Sequence, residues 1–215
     1  MKNEFIKRVI SSIILIPVII YVISAGSYIF NLFLLICFLI SLREWYSLAK
    51  NKMNFILGSI FLLISFGSIY GLKHNFGNNS YLILVLVICI FTDIGGYIIG
   101  KFFKGPKLIR ISPNKTYSGV LGSFLLSIIS GQIFLNYFGK REIVDLDHLF
   151  VFLIILLISL ISQIGDLVIS FFKRKAKLKD TGKILPGHGG FLDRIDSLST
   201  TSSPFFHLIY FLVIV

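Results

Sequence analysis

Six long apolar runs, at residues 9–25, 27–42, 55–72, 80–100, 118–138 and 149–172, set what this chain can fold into. Each approaches the roughly 20 residues that cross a bilayer as helix at about 1.5 Å per residue. A seventh run, 198–215, is different. From Pro204 onward it supplies only about 18 Å of helix, so a span there has to begin in the Ser/Thr-rich stretch 197–203. Pro204 would then be a kink or a first-turn residue. Composition agrees: 55% of the 215 residues are hydrophobic and 14% charged, and the mean hydropathy is +0.88. A soluble domain is about a quarter charged, and a disordered chain is far less apolar. The expected fold is therefore all-α, a polytopic integral membrane bundle of about seven transmembrane helices. Residues 1–79 hold three N-terminal helices, and 80–215 form the functional part, with basic loops at 101–117 and 173–197.

Lys2, Lys7 and Arg8 precede the first run and Ser24-Ala25-Gly26 follows it, a pattern shared with cleaved signals. The run continues almost directly into the second, and a retained helix is expected. Cys37 and Cys89 lie within apolar runs and read as buried small hydrophobes, not a disulfide or metal pair. Lys and Arg exceed Asp and Glu by 21 to 10. With the N-terminus placed in the cytoplasm, 18 of those 21 cations fall on cytoplasmic segments, leaving Lys73, Lys140 and Arg141 outside. Trp45 and Tyr46, beside Arg43 and Glu44, fit an interfacial anchor at the cytoplasmic end of the second helix. No basic, aromatic-interleaved soluble module is present, so nucleic acid is not expected as a partner.

Two acids interrupt the apolar runs. Asp93 precedes Lys101 by eight residues and Asp166 precedes Lys173 by seven. Both therefore sit roughly 10–12 Å below the cytoplasmic surface. Such a carboxylate costs about 2.5–3.5 kcal/mol on insertion scales, which favours a shared site over a lipid-facing position. Interhelical hydrogen bonding alone is the plainer alternative. Ser159, Ser162, Gln163, Asp166 and Ser170 recur at helical steps and lead to Lys173 and Arg174. Gly96 and Gly100 beside Asp93 allow a close helix approach. Positive-inside topology accounts for the cations of the two loops. It leaves unexplained Pro186-Gly187-His188-Gly189-Gly190 followed by Asp193, Arg194 and Asp196. Glycines let backbone amides reach phosphate, and Asp193, Asp196 and the buried acids are hard oxygen donors suited to Mg²⁺. No Walker A loop and no GxSxG elbow is present.

The run Ser170, Lys173, Arg174, Lys179, Asp180, Gly182, Leu185, Pro186, His188, Gly189, Gly190, Asp193, Arg194, Asp196 resembles, over 27 residues, the C-terminal signature of the phosphatidate cytidylyltransferases. Asp93, Gly100 and Ser112-Pro113-Asn114-Lys115-Thr116 resemble an earlier part of the same family. The chain departs from it at Tyr117-Ser118, where the family usually has Trp-Glu. The resemblance covers about residues 90–197.

It implies transfer of a cytidylyl group from CTP to phosphatidate with Mg²⁺, which a second cation could join, at the cytoplasmic face of the cell (inner) membrane. Asp166, Asp193, Lys173 and His188 would be catalytic, and Asp166, Asp193 and Asp196 would hold metal. Asp93, Ser112, Lys115, Thr116, Ser170, Arg174, Lys179, Asp180, Gly189, Gly190 and Arg194 would bind substrate. Oligomeric state is left open, a homodimer included. The rival readings are a CTP-dependent enzyme for another lipid phosphate, a polyprenol kinase, and, from another class, a transporter with paired buried acids.

Overall fold

The computed structural model describes residues 17–76, 79–109, 112–138, 147–182, 184 and 189–214. Residues 17–24 are helical. Six long helices follow: α1 (Ser27–Leu48), α2 (Lys52–His74), α3 (Ser80–Phe103), α4 (Tyr117–Phe138), α5 (His148–Lys175) and α6 (Leu192–Ile214). Between α3 and α4 runs a two-stranded antiparallel hairpin, β1 (Lys107–Ile109) and β2 (Ser112–Thr116), pairing Lys107 with Thr116 and Ile109 with Ser112. The first basic loop is thus a small ribbon, an addition to the all-α expectation. Among the described residues, α1 to α5 are long and apolar enough to cross a membrane. Lys2, Lys7 and Arg8 lie outside the described residues.

The helices turn their apolar faces outward and much of their polarity inward. Leu32, Leu35 and Leu39 of α1 are exposed, whereas Ser41, Ser65, Ser159, Ser199 and Ser202 are buried. That is the arrangement expected where lipid surrounds the bundle, because hydrocarbon outside is as apolar as leucine and packing, not apolar burial, joins the helices. The closest approach is between α3 and α4. A Cβ on Gly95 would run into the backbone of Gly122, and one on Gly122 into the side chain of Ile99.

α6 begins six residues before the apolar run, with Pro204 inside the helix and not in its first turn. Most hydroxyls of this polar stretch bond back to carbonyls within the helix, while the Ser197 hydroxyl is buried without a partner among the described residues. Thr200 donates to the Asp196 carbonyl at 2.9 Å and Thr201 to that of Ser197 at 2.7 Å. Ser202 also donates across to the Ser65 carbonyl of α2 at 3.1 Å. The interfacial reading of residue 45 is corrected as well. Trp45 is buried, packs edge-on against Phe172 with ring centroids 4.9 Å apart, and donates its indole N–H to the Asn54 carbonyl at 3.2 Å. Tyr46, next along the helix, is exposed.

Candidate functional site

Lys115 and Lys173 line a cavity of about 380 Å³. α3 contributes Thr92, Asp93, Gly96 and Tyr97; β2 contributes Ser112, Lys115 and Thr116. α5 supplies Gln163, Asp166 and Lys173, the last loop adds Asp180, and the start of α6 adds Asp193, Arg194 and Asp196. Asp93 and Asp166, which their depths placed together, therefore line one cavity.

Local structure explains how each side chain arrives. Thr116 ends β2 and caps α4, its hydroxyl accepting the Gly119 amide at 3.1 Å. That fixes the preceding Lys115, whose ammonium reaches the Asp166 carboxylate at 2.6 Å and the Gln163 carbonyl at 3.4 Å. Ser170, one turn beyond Asp166, donates to it at 3.4 Å. Ser118, at the position that departs from the family pattern, hydrogen-bonds the Lys104 carbonyl.

Asp193 is engaged by three partners. Its Oδ1 pairs with Lys173 at 2.7 Å, and its Oδ2 accepts the amides of Thr181 at 2.8 Å and Gly190 at 3.1 Å. Asp196, buried one turn on, accepts its neighbour Ser197's amide at 2.8 Å. Gly189 has φ +85°, a conformation other residues adopt only with strain, and a Cβ there would press on Asp180.

The cations of the last loop divide between the cavity and its outside. Arg174, next to Lys173 on the helix, is exposed and donates to the Leu178 carbonyl at 3.4 Å, and Lys179 is exposed too. Successive helical residues point about 100° apart, so Lys173 and Arg174 cannot both face inward. His188 lies outside the described residues. The lining holds five aspartates against Lys115, Lys173 and Arg194. Asp93, Asp166 and Asp196 are three of those aspartates, from three different helices. A triphosphate entering such a site needs added positive charge, and these three carboxylates are oxygen donors of the kind Mg²⁺ takes. Among the described residues, no three acidic, His or Cys side chains are already gathered tightly enough to enclose a metal. The donors thus suit a divalent cation in chemistry, and one of them, Asp166, is paired with the Lys115 ammonium.

Among the polar groups not picked out as site residues are Gln163, Thr181 and Glu44. Gln163, recognised only as part of the stripe, lines the cavity with its amide nitrogen buried and unpartnered among the described residues. Thr181 is buried beneath the loop. Glu44 of α1, 4% exposed, accepts the Thr181 hydroxyl at 2.6 Å and the amides of Phe191 and Leu192 at 2.9 and 2.8 Å. Its only sequence signal is a carboxylate closing an apolar run.

Residues 53–213 match the model of the cytidylyltransferase family. Among curated proteins, the chain is 34% identical to the phosphatidate cytidylyltransferase of Rickettsia prowazekii, over 95% of this chain and 92% of that protein. It is 34% identical to the Staphylococcus haemolyticus protein of the same name, over 81% of this chain and 68% of that one. The Staphylococcus epidermidis counterpart is 37% identical over 70% and 58%.

Proposed function

The chain belongs to the cytidylyltransferase family, and on that premise we propose that it transfers the cytidylyl group of CTP to phosphatidate, giving CDP-diacylglycerol and pyrophosphate. A phosphatidate oxygen attacks the α-phosphorus of CTP, the new O–P bond forms, and the bond from the α-phosphorus to the bridging oxygen breaks. Pyrophosphate leaves with the electron pair. The attacking phosphate is already anionic, so the reaction needs positioning and charge neutralisation more than a strong base. Lys115 of β2 and Arg194 of α6, which both line the cavity, are suited to bind phosphate oxygens. Asp166 and Asp196, with Asp93, would hold Mg²⁺, whose positive charge would offset the five aspartates that otherwise oppose an anionic substrate. Asp193 holds Lys173 and the loop amides in place. The basic end faces the cytoplasm, where CTP is found, and the acceptor's tails lie in the cell membrane.

The observation that carries this reading is the cavity itself. It gathers lysine, arginine and membrane-depth carboxylates from two loops and three helices at the end where a lipid phosphate would lie. The test is purified protein with labelled CTP, phosphatidate and Mg²⁺. Cytidine label should move into the organic phase and pyrophosphate should appear in equal amount. No transfer to phosphatidate, with transfer to an isoprenoid ether-lipid phosphate instead, would reassign the acceptor.

A further inference from the structure

We propose that Glu44 is a positioning residue: from the N-terminal part of the bundle it clamps the neck of the last loop and so fixes the residues that line the cavity. Glu44 lies outside the matched residues 53–213, and the inference rests on the transfer reading above. The loop leaves α5 at Lys175 and re-enters helix at Leu192. Its two sides meet at Thr181 and at residues 190–192, and two carboxylates bind them there from different directions. Asp193 joins the Thr181 and Gly190 amides. Glu44 joins the Thr181 hydroxyl to the amides of Phe191 and Leu192.

Chain geometry reserves the place. A Cβ on Gly182 would strike the Glu44 carboxylate, and one on Gly190 would meet both that carboxylate and the Thr181 hydroxyl. These two glycines of the signature thus admit a protein carboxylate, whatever Gly189 does for substrate. α1 is held firmly enough to act as the fixed jaw. Trp45, next to Glu44, is wedged over Gly58 of α2 and against Phe172 of α5, and Ser47 donates to the Thr181 carbonyl at 3.3 Å. Glu44 also places negative charge at the first turn of α6, where helix amides are unsatisfied. Asp193, Arg194 and Asp196 follow within the next turn. Release of the clamp would let all three shift relative to Lys115 and Asp166, and a misplacement of about 1 Å costs on the order of a hundredfold in rate.

The test compares Glu44→Gln, Thr181→Val and Thr181→Ser in the full chain. It reads cytidylyl transfer and, separately, hydrogen–deuterium exchange. Glutamine keeps the shape but loses the charge and turns an N–H₂ toward at least one donor. Glu44→Gln should lower kcat about ten- to a hundredfold with a KM for CTP within about threefold of wild type. Exchange across 179–193 should quicken at least about tenfold while α3 and α4 keep their wild-type rates. Thr181→Val should do the same more weakly, and Thr181→Ser, which keeps the hydroxyl, should not. Unchanged exchange at 179–193 in folded Glu44→Gln overturns the clamp, and so does exchange that rises equally throughout the chain. If Glu44→Gln fails to fold, the valine and serine pair decides by the same readouts. Wild-type protein that makes no cytidine lipid would remove the transfer reading, while the exchange measurement still decides the clamp.

Discussion

Replacing Asp193 by Asn tests whether that side chain organises the loop or serves as a free metal ligand. Asn keeps an oxygen for the Thr181 and Gly190 amides but turns its N–H₂ toward the Lys173 ammonium, now 2.7 Å from Oδ1. The side chains of Lys173 and Asp193 are only 12% and 6% exposed, so this is an enclosed pair. Removing one partner of such a pair costs about 3–5 kcal/mol because the other charge is stranded. Lys173 retains some access to the cavity, which argues for the lower end, about 3 kcal/mol. Lys173→Met is milder. It leaves Asp193 with two amide hydrogen bonds, so the expected cost is about 1–2 kcal/mol. The double variant has no stranded charge and should be more stable than Asp193→Asn alone.

The protein carries its own reporters for this measurement, since Cys37 and Cys89 are both buried and free. Reaction of a thiol-specific fluorophore with them on heating in detergent gives the melting temperature of each variant. All three should also lose most transfer activity, because Asp193 and Lys173 both line the cavity. Wild-type stability in Asp193→Asn, with activity lost and restored by raised Mg²⁺, would refute the organising role. It would assign the carboxylate to the metal.

Asp166→Asn should abolish transfer at every Mg²⁺ concentration while Lys115→Met, which frees the same carboxylate, should shift the Mg²⁺ requirement downward as kcat falls; titration of transfer against Mg²⁺ reads both. Gly122→Val should lower the melting temperature by an amount equivalent to about 1–3 kcal/mol, because even its Cβ collides with Ile99 and Gly95, and the same thiol assay measures it. With Cys37 and Cys89 replaced by Ser, single cysteines at the exposed positions Lys107 and Lys177 should react with an impermeant reagent in inverted vesicles and not in intact cells; the reverse pattern would overturn the proposed orientation.

What could be read from the chain, and what could not, follows from how membrane helices encode their contacts. Depth is a one-dimensional quantity, fixed by residue count and helical rise, so the common level of Asp93 and Asp166 was visible in sequence, and both line one cavity. The polar stripe of α5 was visible because a hydroxyl, an amide or a carboxylate stands out in an apolar run. Facing is harder. Arg174 and Lys173 are adjacent in sequence and alike in charge, yet only Lys173 faces the cavity, and the pairing with Asp193 that draws it there spans 20 residues. Glu44 is harder still, with partners 137 to 148 residues away in sequence. It reads locally as a charge marking the end of a span, with Trp45 as its anchor. In a soluble protein, burial of Trp45 would announce itself through a surrounding apolar stripe. In this chain nearly every face is apolar, and lipid-exposed and buried positions look alike in composition. The informative residues are then the polar ones that should be costly where they stand. A carboxylate at the last turn of an apolar helix, beside an aromatic that does not need the interface, is better read as a long-range hydrogen-bond acceptor than as a topological marker. In this chain its partners are the Thr181 hydroxyl and two backbone amides, beside the glycines of the last basic loop.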